Sequence, residues 1–178
     1  MSDPHMSMVI DAVDGRNEPI GQIPRNEVFA KKANFRTVHI LIRSLDRTSL
    51  LLQKLPQNHP RSPARLGSSV AGYLHAGESY QRAARRKLKE ELGINKVFRL
   101  WPVDLIEMHD EEVSKFIQIY TFPYDYSGQF DKSRIENVSY YRFATLDRLL
   151  IQEPDRFTAT FLHVYKRFRE IPKWQPAR

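Results

Sequence analysis

Between Gly72 and Ile94 the chain carries the pattern that most restricts what it can fold into. Tyr80, Ala84, Leu88 and Leu92 recur every four residues and draw one apolar stripe down an α-helix. Gly77-Glu78-Ser79 opens the helix and Gly93 ends it, glycine taking the left-handed backbone of a C-cap at least cost. The stripe needs a second layer to cover it, so the helix packs on other elements. Its remaining surface carries Arg82, Arg85, Arg86, Lys87, Lys89, Glu90 and Glu91. Charge runs of this kind are common on solvated helix faces, and that plain reading stands beside any chemical one.

The spacing of the acids goes further. Positions 87, 90, 91 and 94 cluster on one face, because residues three and four apart are neighbours on a helix. Glu90 and Glu91 stand only about 100° apart around the axis, so both can reach one hard cation. Arg86 lies one turn before Glu90, in reach of its carboxylate, and Glu78 sits near the helix N-terminus, where its charge is favoured. Oxygen donors without histidine or cysteine suit Mg²⁺ or Mn²⁺, ions that typically bring phosphate substrates.

The flanking chain alternates strand and helix signals. Met8 to Val13 and Pro19 to Ile23 read as a hairpin about Asp14-Gly15-Arg16-Asn17, and Asn26 to Lys32 as a short helix capped by Asn26. Thr37 to Arg43 and Ser49 to Lys54 are strands either side of Leu45-Asp46-Arg47. Pro56, Pro60 and Pro63 make the stretch from Pro56 to Gly67 a surface loop, since proline removes ladder donors and breaks helices. Ser68 to Leu74 is a short strand. Val97 to Met108 and Lys115 to Phe122 bracket the acidic turn His109-Asp110-Glu111-Glu112. Asn137 to Phe143 is another strand, and Thr145 to Ile151 and Phe157 to Phe168 are closing helices. Hairpins among these elements favour a mixed sheet with helices packed on it over a doubly wound parallel one. We divide the chain into a flexible N-terminus (1–7), a single domain (8–170) and a basic tail (171–178).

Several chemistries are excluded. With no cysteine, the chain has no disulfides, thiolate metal sites or cysteine nucleophile. Its six histidines show no H-x-x-x-H or H-E pair. Gly72 and Gly77 have the glycine spacing of a phosphate loop, but Glu78-Ser79 stands where Lys-Ser/Thr is needed, and a carboxylate there repels phosphate. Residues 1–8 lack the apolar core of a signal peptide, and Phe116 to Tyr124 is too short to span a bilayer. The expected location is the cytoplasm, away from membranes.

The same segment resembles the Nudix box of MutT-like hydrolases, G-x5-E-x7-R-E-U-x-E-E-x-G-U, where U is a bulky aliphatic residue. Gly72, Glu78, Arg86, Leu88, Glu90, Glu91, Gly93 and Ile94 fall on their slots. From ordinary residue usage, such a match arises by chance on the order of once in a million. The resemblance implies a Nudix-type α/β/α sandwich with a mixed β-sheet. It also implies a loop–helix that holds divalent cations against a diphosphate while water attacks phosphorus. It makes Glu90 and Glu91 metal ligands, the Gly72 carbonyl an additional one, and Glu78 with Arg86 the pair that shapes the box. One slot departs: Lys87 stands where the family has glutamate, and it can pair with Glu91 one turn on. Asp110, Glu111 and above all Glu112 are candidates for the displaced base, and Glu136 for a further ligand. Val13 to Gln22 and Phe157-Thr158 resemble the branch that includes isopentenyl diphosphate isomerase. That isomerase type uses a cysteine this chain lacks, so hydrolysis is the expected chemistry.

The charge balance is +7, and the basic residues fall in three groups. Those of the box helix are joined by Lys54, Arg61 and Arg65, candidates to neutralise substrate phosphates, and by a basic C-terminal end. No nucleic-acid module is present, so a small-molecule diphosphate is the expected partner. The oligomeric state stays open, a homodimer included. The reading is a metal-dependent hydrolase of a nucleoside diphosphate linked to another moiety. The alternative is a degenerate domain that, with Lys87 in the box, binds a phosphorylated ligand without turnover.

Overall fold

The computed structural model describes residues 8–96, 99–110 and 112–174. In chain order its strands are Val9–Val13 (β1), Pro19–Pro24 (β2), Phe35–Arg43 (β3), Ser49–Lys54 (β4), Leu66–Gly67 (β5) and Val70–Tyr73 (β6). The helix Tyr80–Leu92 (α1) separates these from Trp101–Asp110 (β7), Val113–Pro123 (β8) and Asn137–Arg142 (β9). Phe143–Gln152 (α2) and Ala159–Glu170 (α3) complete the fold.

β3 is the hub of the larger sheet. It pairs with β8 in parallel from Phe35 opposite Lys115 to Arg43 opposite Pro123. Along its other edge it pairs antiparallel with β6, Val38 opposite Gly72, and then meets β4 through Arg43 and Leu50. Its run of buried residues is what a strand covered on both faces requires. Val38, Ile40 and Ile42 face Ala83, Ala84, Leu88 and Leu92 of α1. Leu41 faces the other way, with Ile117 and Ile119, towards Phe143, Leu146, Phe161, Val164 and Phe168. Helices therefore cover both faces of a mixed sheet, the α/β/α sandwich the sequence implies.

β1 and β2 form a separate two-stranded sheet that braces the loop before α1. The Ala76 N–H donates to the Val9 carbonyl at 3.0 Å. The Gly77 N–H donates to Asp11 Oδ2 at 2.9 Å.

Three readings change. The helix assigned to Asn26–Lys32 is a single 3-10 turn, Arg25–Glu27, entered from extended Pro24, and Asn26 does not cap it. Successive turns, closed by Lys31 N–H to Glu27 and Ala33 N–H to Val28, fold Val28 inward instead of extending a helix. The proline loop ends early, because Leu66 and Gly67 pair with Lys54 and Gln53 as β5. Residues 172–174, placed in the basic tail, form a 3-10 turn that buries Trp174 against Trp101. Residues 1–7 and 175–178 lie outside the described residues, as do Val97 and Phe98 of the strand expected from Val97. Among the described residues no helix is long and apolar enough to cross a membrane.

Candidate active site

Local forces set the box helix. Ser79 caps it, its hydroxyl accepting from the Arg82 N–H, and Gly93 ends it with φ of 65° in the left-handed region. Its buried face holds more than the apolar stripe. Lys87 and Glu91 are only 7% and 5% exposed, so these two charges of the box lie inside the protein. Tyr80, assigned to the buried stripe, is half-buried and shares hydrogen bonds with Asn17.

Arg86 organises the loop end. Its Nε and Nη2 donate to the two oxygens of Glu78 at 2.9 and 2.7 Å, and Nη2 also donates to the Tyr73 carbonyl at 3.0 Å. The Glu78 carboxylate in turn accepts from the His75 N–H at 2.9 Å, which closes the turn ahead of the helix. Partial burial alone would raise the Glu78 pKa. The hydrogen bonds from Arg86 and His75 outweigh it and hold the carboxyl below the ordinary glutamate range.

Lys87 and Glu91 form a tight pair, Nζ to Oε1 at 2.6 Å. The other oxygen of Glu91 accepts from Gln53 Nε2 at 3.1 Å, and the same amide nitrogen donates to the Ser69 carbonyl. Glu90 is bound more loosely. Its Oε2 lies 3.3 Å from Arg86, 3.5 Å from Lys87 and 3.7 Å from Arg134. Its side chain remains one-third exposed. Burial would raise the Glu90 pKa, but the charges of Lys87, Arg86 and Arg134 lower it overall, so Glu90 stays ionised at neutral pH.

The lysine stem explains Gly72. A Cβ placed there would lie 2.5 Å from Lys87 Cε and 2.8 Å from Cδ, so the stem crosses the strand where only glycine leaves room.

Glu78, Arg86, Glu90, Glu91 and Gly72 are thus assembled around one loop–helix. The other candidates divide. Lys54 and Glu136 pair with each other at 2.6 Å, next along β4 from Gln53. Arg61 lies over the Phe29 ring and 3.4 Å from Asp110, which also faces Lys115 at 3.6 Å. Glu112, the favoured base, is bound to Lys32 at 2.7 Å in the turn between β7 and β8, and makes its contact there instead of at the box. The Arg65 carbonyl accepts from Leu55 N–H and closes the proline loop. Glu111 lies outside the described residues. Gln53 and Arg134 are site residues the sequence did not announce, because they come from β4 and from the loop before β9. Among the described residues no group of three or more His, Asp or Glu side chains forms a metal cage.

The site is thus an acid-lined loop–helix, shaped by an arginine fork, on one face of the mixed sheet of an α/β/α protein. The chain belongs to the Nudix family: the NUDIX domain model matches residues 33–168. It is 27% identical over 178 residues to isopentenyl-diphosphate Delta-isomerase 2 of Photorhabdus laumondii, covering 96% of this chain and 98% of that one. It is also 27% identical over 127 residues to a Nudix hydrolase of Deinococcus radiodurans, covering 71% and 74% of the two chains. The fold is shared with DR0079 of Deinococcus radiodurans, with a TM-score of 0.78, 21% identity and coverage of 89% and 98%.

Proposed function

We propose that this chain hydrolyses a diphosphate bond in a nucleoside diphosphate linked to another moiety, using Mg²⁺ or Mn²⁺. The observation that carries the proposal is Glu90: an ionised, solvent-facing carboxylate held by Arg86 at the loop–helix. Such an oxygen donor fits a hard divalent cation, and the Gly72 carbonyl is the proposed further oxygen. The cation, when bound, supplies charge neutralisation at the diphosphate and activation of a water.

The chain's own residues do the rest. Arg86 and Glu78 fix the loop in one shape, so Glu90 meets the substrate without reorganisation. Lys54, with its side chain partly exposed, can exchange Glu136 for a substrate phosphate oxygen. Arg61 and Arg65 serve less directly, since Arg61 is already engaged by Asp110. The absent cysteine disfavours the isomerase chemistry named for one relative. The binder reading has nothing behind it beyond Lys87, whereas the Deinococcus relative carries a hydrolase name.

The test is metal-dependent phosphate or nucleotide release across nucleotide sugars, dinucleotides and nucleoside triphosphates. Glu90→Gln should abolish release from the best substrate, and unchanged turnover overturns the assignment.

A further inference from the structure

We propose that the Lys87 ammonium is a resident cation of this box. It takes the place of one divalent ion across Glu90 and Glu91, so the loop–helix binds a single divalent cation, at Glu90. The proposal rests on the reading of this loop–helix as a metal-dependent hydrolase site.

Three observations carry it. First, the two glutamates are not equivalent. Glu91 is buried, and both its oxygens are already partnered, one 2.6 Å from Lys87 and the other accepting from Gln53. Glu90 faces solvent, and its contacts of 3.3 to 3.7 Å are longer than well-formed charged hydrogen bonds, so a cation can replace them. Second, the ammonium is built in. Its stem lies across Gly72 with room for no Cβ, and its side chain is 9% exposed, so it does not swing freely into water. Third, the charges already nearly balance. Glu78, Glu90, Glu91 and Asp131, which meets Arg134 at 3.2 Å, face Arg86, Lys87 and Arg134, so a single negative charge is left over without any metal. A site that gathers several divalent ions needs excess carboxylate. Here a monovalent charge at the centre repels a second ion while holding Glu91 in place.

The experiment counts ions in the folded full chain without substrate. Mn²⁺ is titrated in and the free aqueous ion is followed by its electron paramagnetic resonance signal, with folding checked by circular dichroism. Wild type should bind one ion, and Glu90→Gln none. Lys87→Met keeps an apolar stem over Gly72 and removes the charge. It should admit a second ion and tighten the first by about tenfold or more, the order set by removing a unit charge beside a divalent one. Lys87→Glu should do the same more strongly, and Lys87→Arg should keep one ion. If Lys87→Met does not fold, the Glu and Arg variants carry the comparison. Wild type binding none or at least two ions, or charge-removing variants that bind as wild type does, overturns the proposal. Ion counts as expected with no hydrolysis of any diphosphate defeat the hydrolase reading and leave the resident cation standing. Metal-dependent turnover with unchanged counts in Lys87→Met does the opposite.

Discussion

Arg86 meets Glu78 as a two-pronged fork, Nε to Oε1 at 2.9 Å and Nη2 to Oε2 at 2.7 Å, across the turn that precedes the box helix. A lysine cannot reproduce that geometry, because its ammonium is a point charge without a planar pair of donors. Arg86→Lys should cost about 1.5–3 kcal/mol at neutral pH, the scale of a lost charged hydrogen bond. Urea denaturation measures it. The pH dependence gives a second check. Glu78 is held below its ordinary value of 4.5, so the stability it contributes is full above that value and is lost as pH falls through the lower folded value. The gap between wild type and variant should therefore close on acidification below 4.5. A gap constant down to the acid transition would mean that the fork does not stabilise the ionised carboxylate.

His39 sets a different acid sensitivity. It is buried on β3, its Nδ1 2.8 Å from Ser68 Oγ, and burial, with the Lys115 charge nearby, lowers its pKa from 6.5 to about 3. The folded protein keeps it neutral while the unfolded chain takes up a proton, so its stabilising effect is complete above pH 6.5 and declines below it. The slope approaches about 1.4 kcal/mol per pH unit between the two values. His39→Gln should be less stable at pH 7.5 yet flatter between pH 6 and 4. Unfolding free energies across that range decide it, and parallel curves count against a buried neutral histidine.

Gly72 and Lys87 should be energetically coupled. Gly72→Ala puts a methyl where the lysine stem passes and forces Nζ from Glu91, while Lys87→Ala removes the obstruction. The alanine at position 72 should be better tolerated in the Lys87→Ala background, by a coupling of about 0.5–3 kcal/mol in a double-mutant cycle. Additive costs would show that the stem yields without losing its partner.

What the sequence made legible was local. The helix opening at Gly77-Glu78-Ser79, the Gly93 cap, the stripe of α1 and the spacing of Glu78, Arg86, Glu90 and Glu91 all act within one short loop and the helix it opens. The sandwich followed from the box and from the alternation of hairpins with helices. The misread helix at Asn26 has a physical source, since asparagine serves turns as readily as caps. Gln53 and Arg134 were illegible because sheet register and a distant loop bring them to α1, and neither leaves a mark at fixed spacing. The burial of Lys87 was hidden for another reason. Lysine on a charged helix reads as solvated, and only the glycine beneath it makes room for the stem.

The parallel pairing of β3 with β8 sets an order of assembly. β3, β4, β6 and α1 follow one another along residues 35–92, so a chain emerging from the ribosome can gather Glu78, Arg86, Lys87 and Glu91 before β8 has been synthesised. β8 must then return across the finished loop–helix layer to take its place beside β3. Until it does, one edge of the central strand lacks its ladder, and in the nascent protein that apolar edge is open to pairing with another chain. Arg134 and Glu136 lie beyond β8 in the chain, so their contacts with Glu90 and Lys54 can form only after β8 has been made.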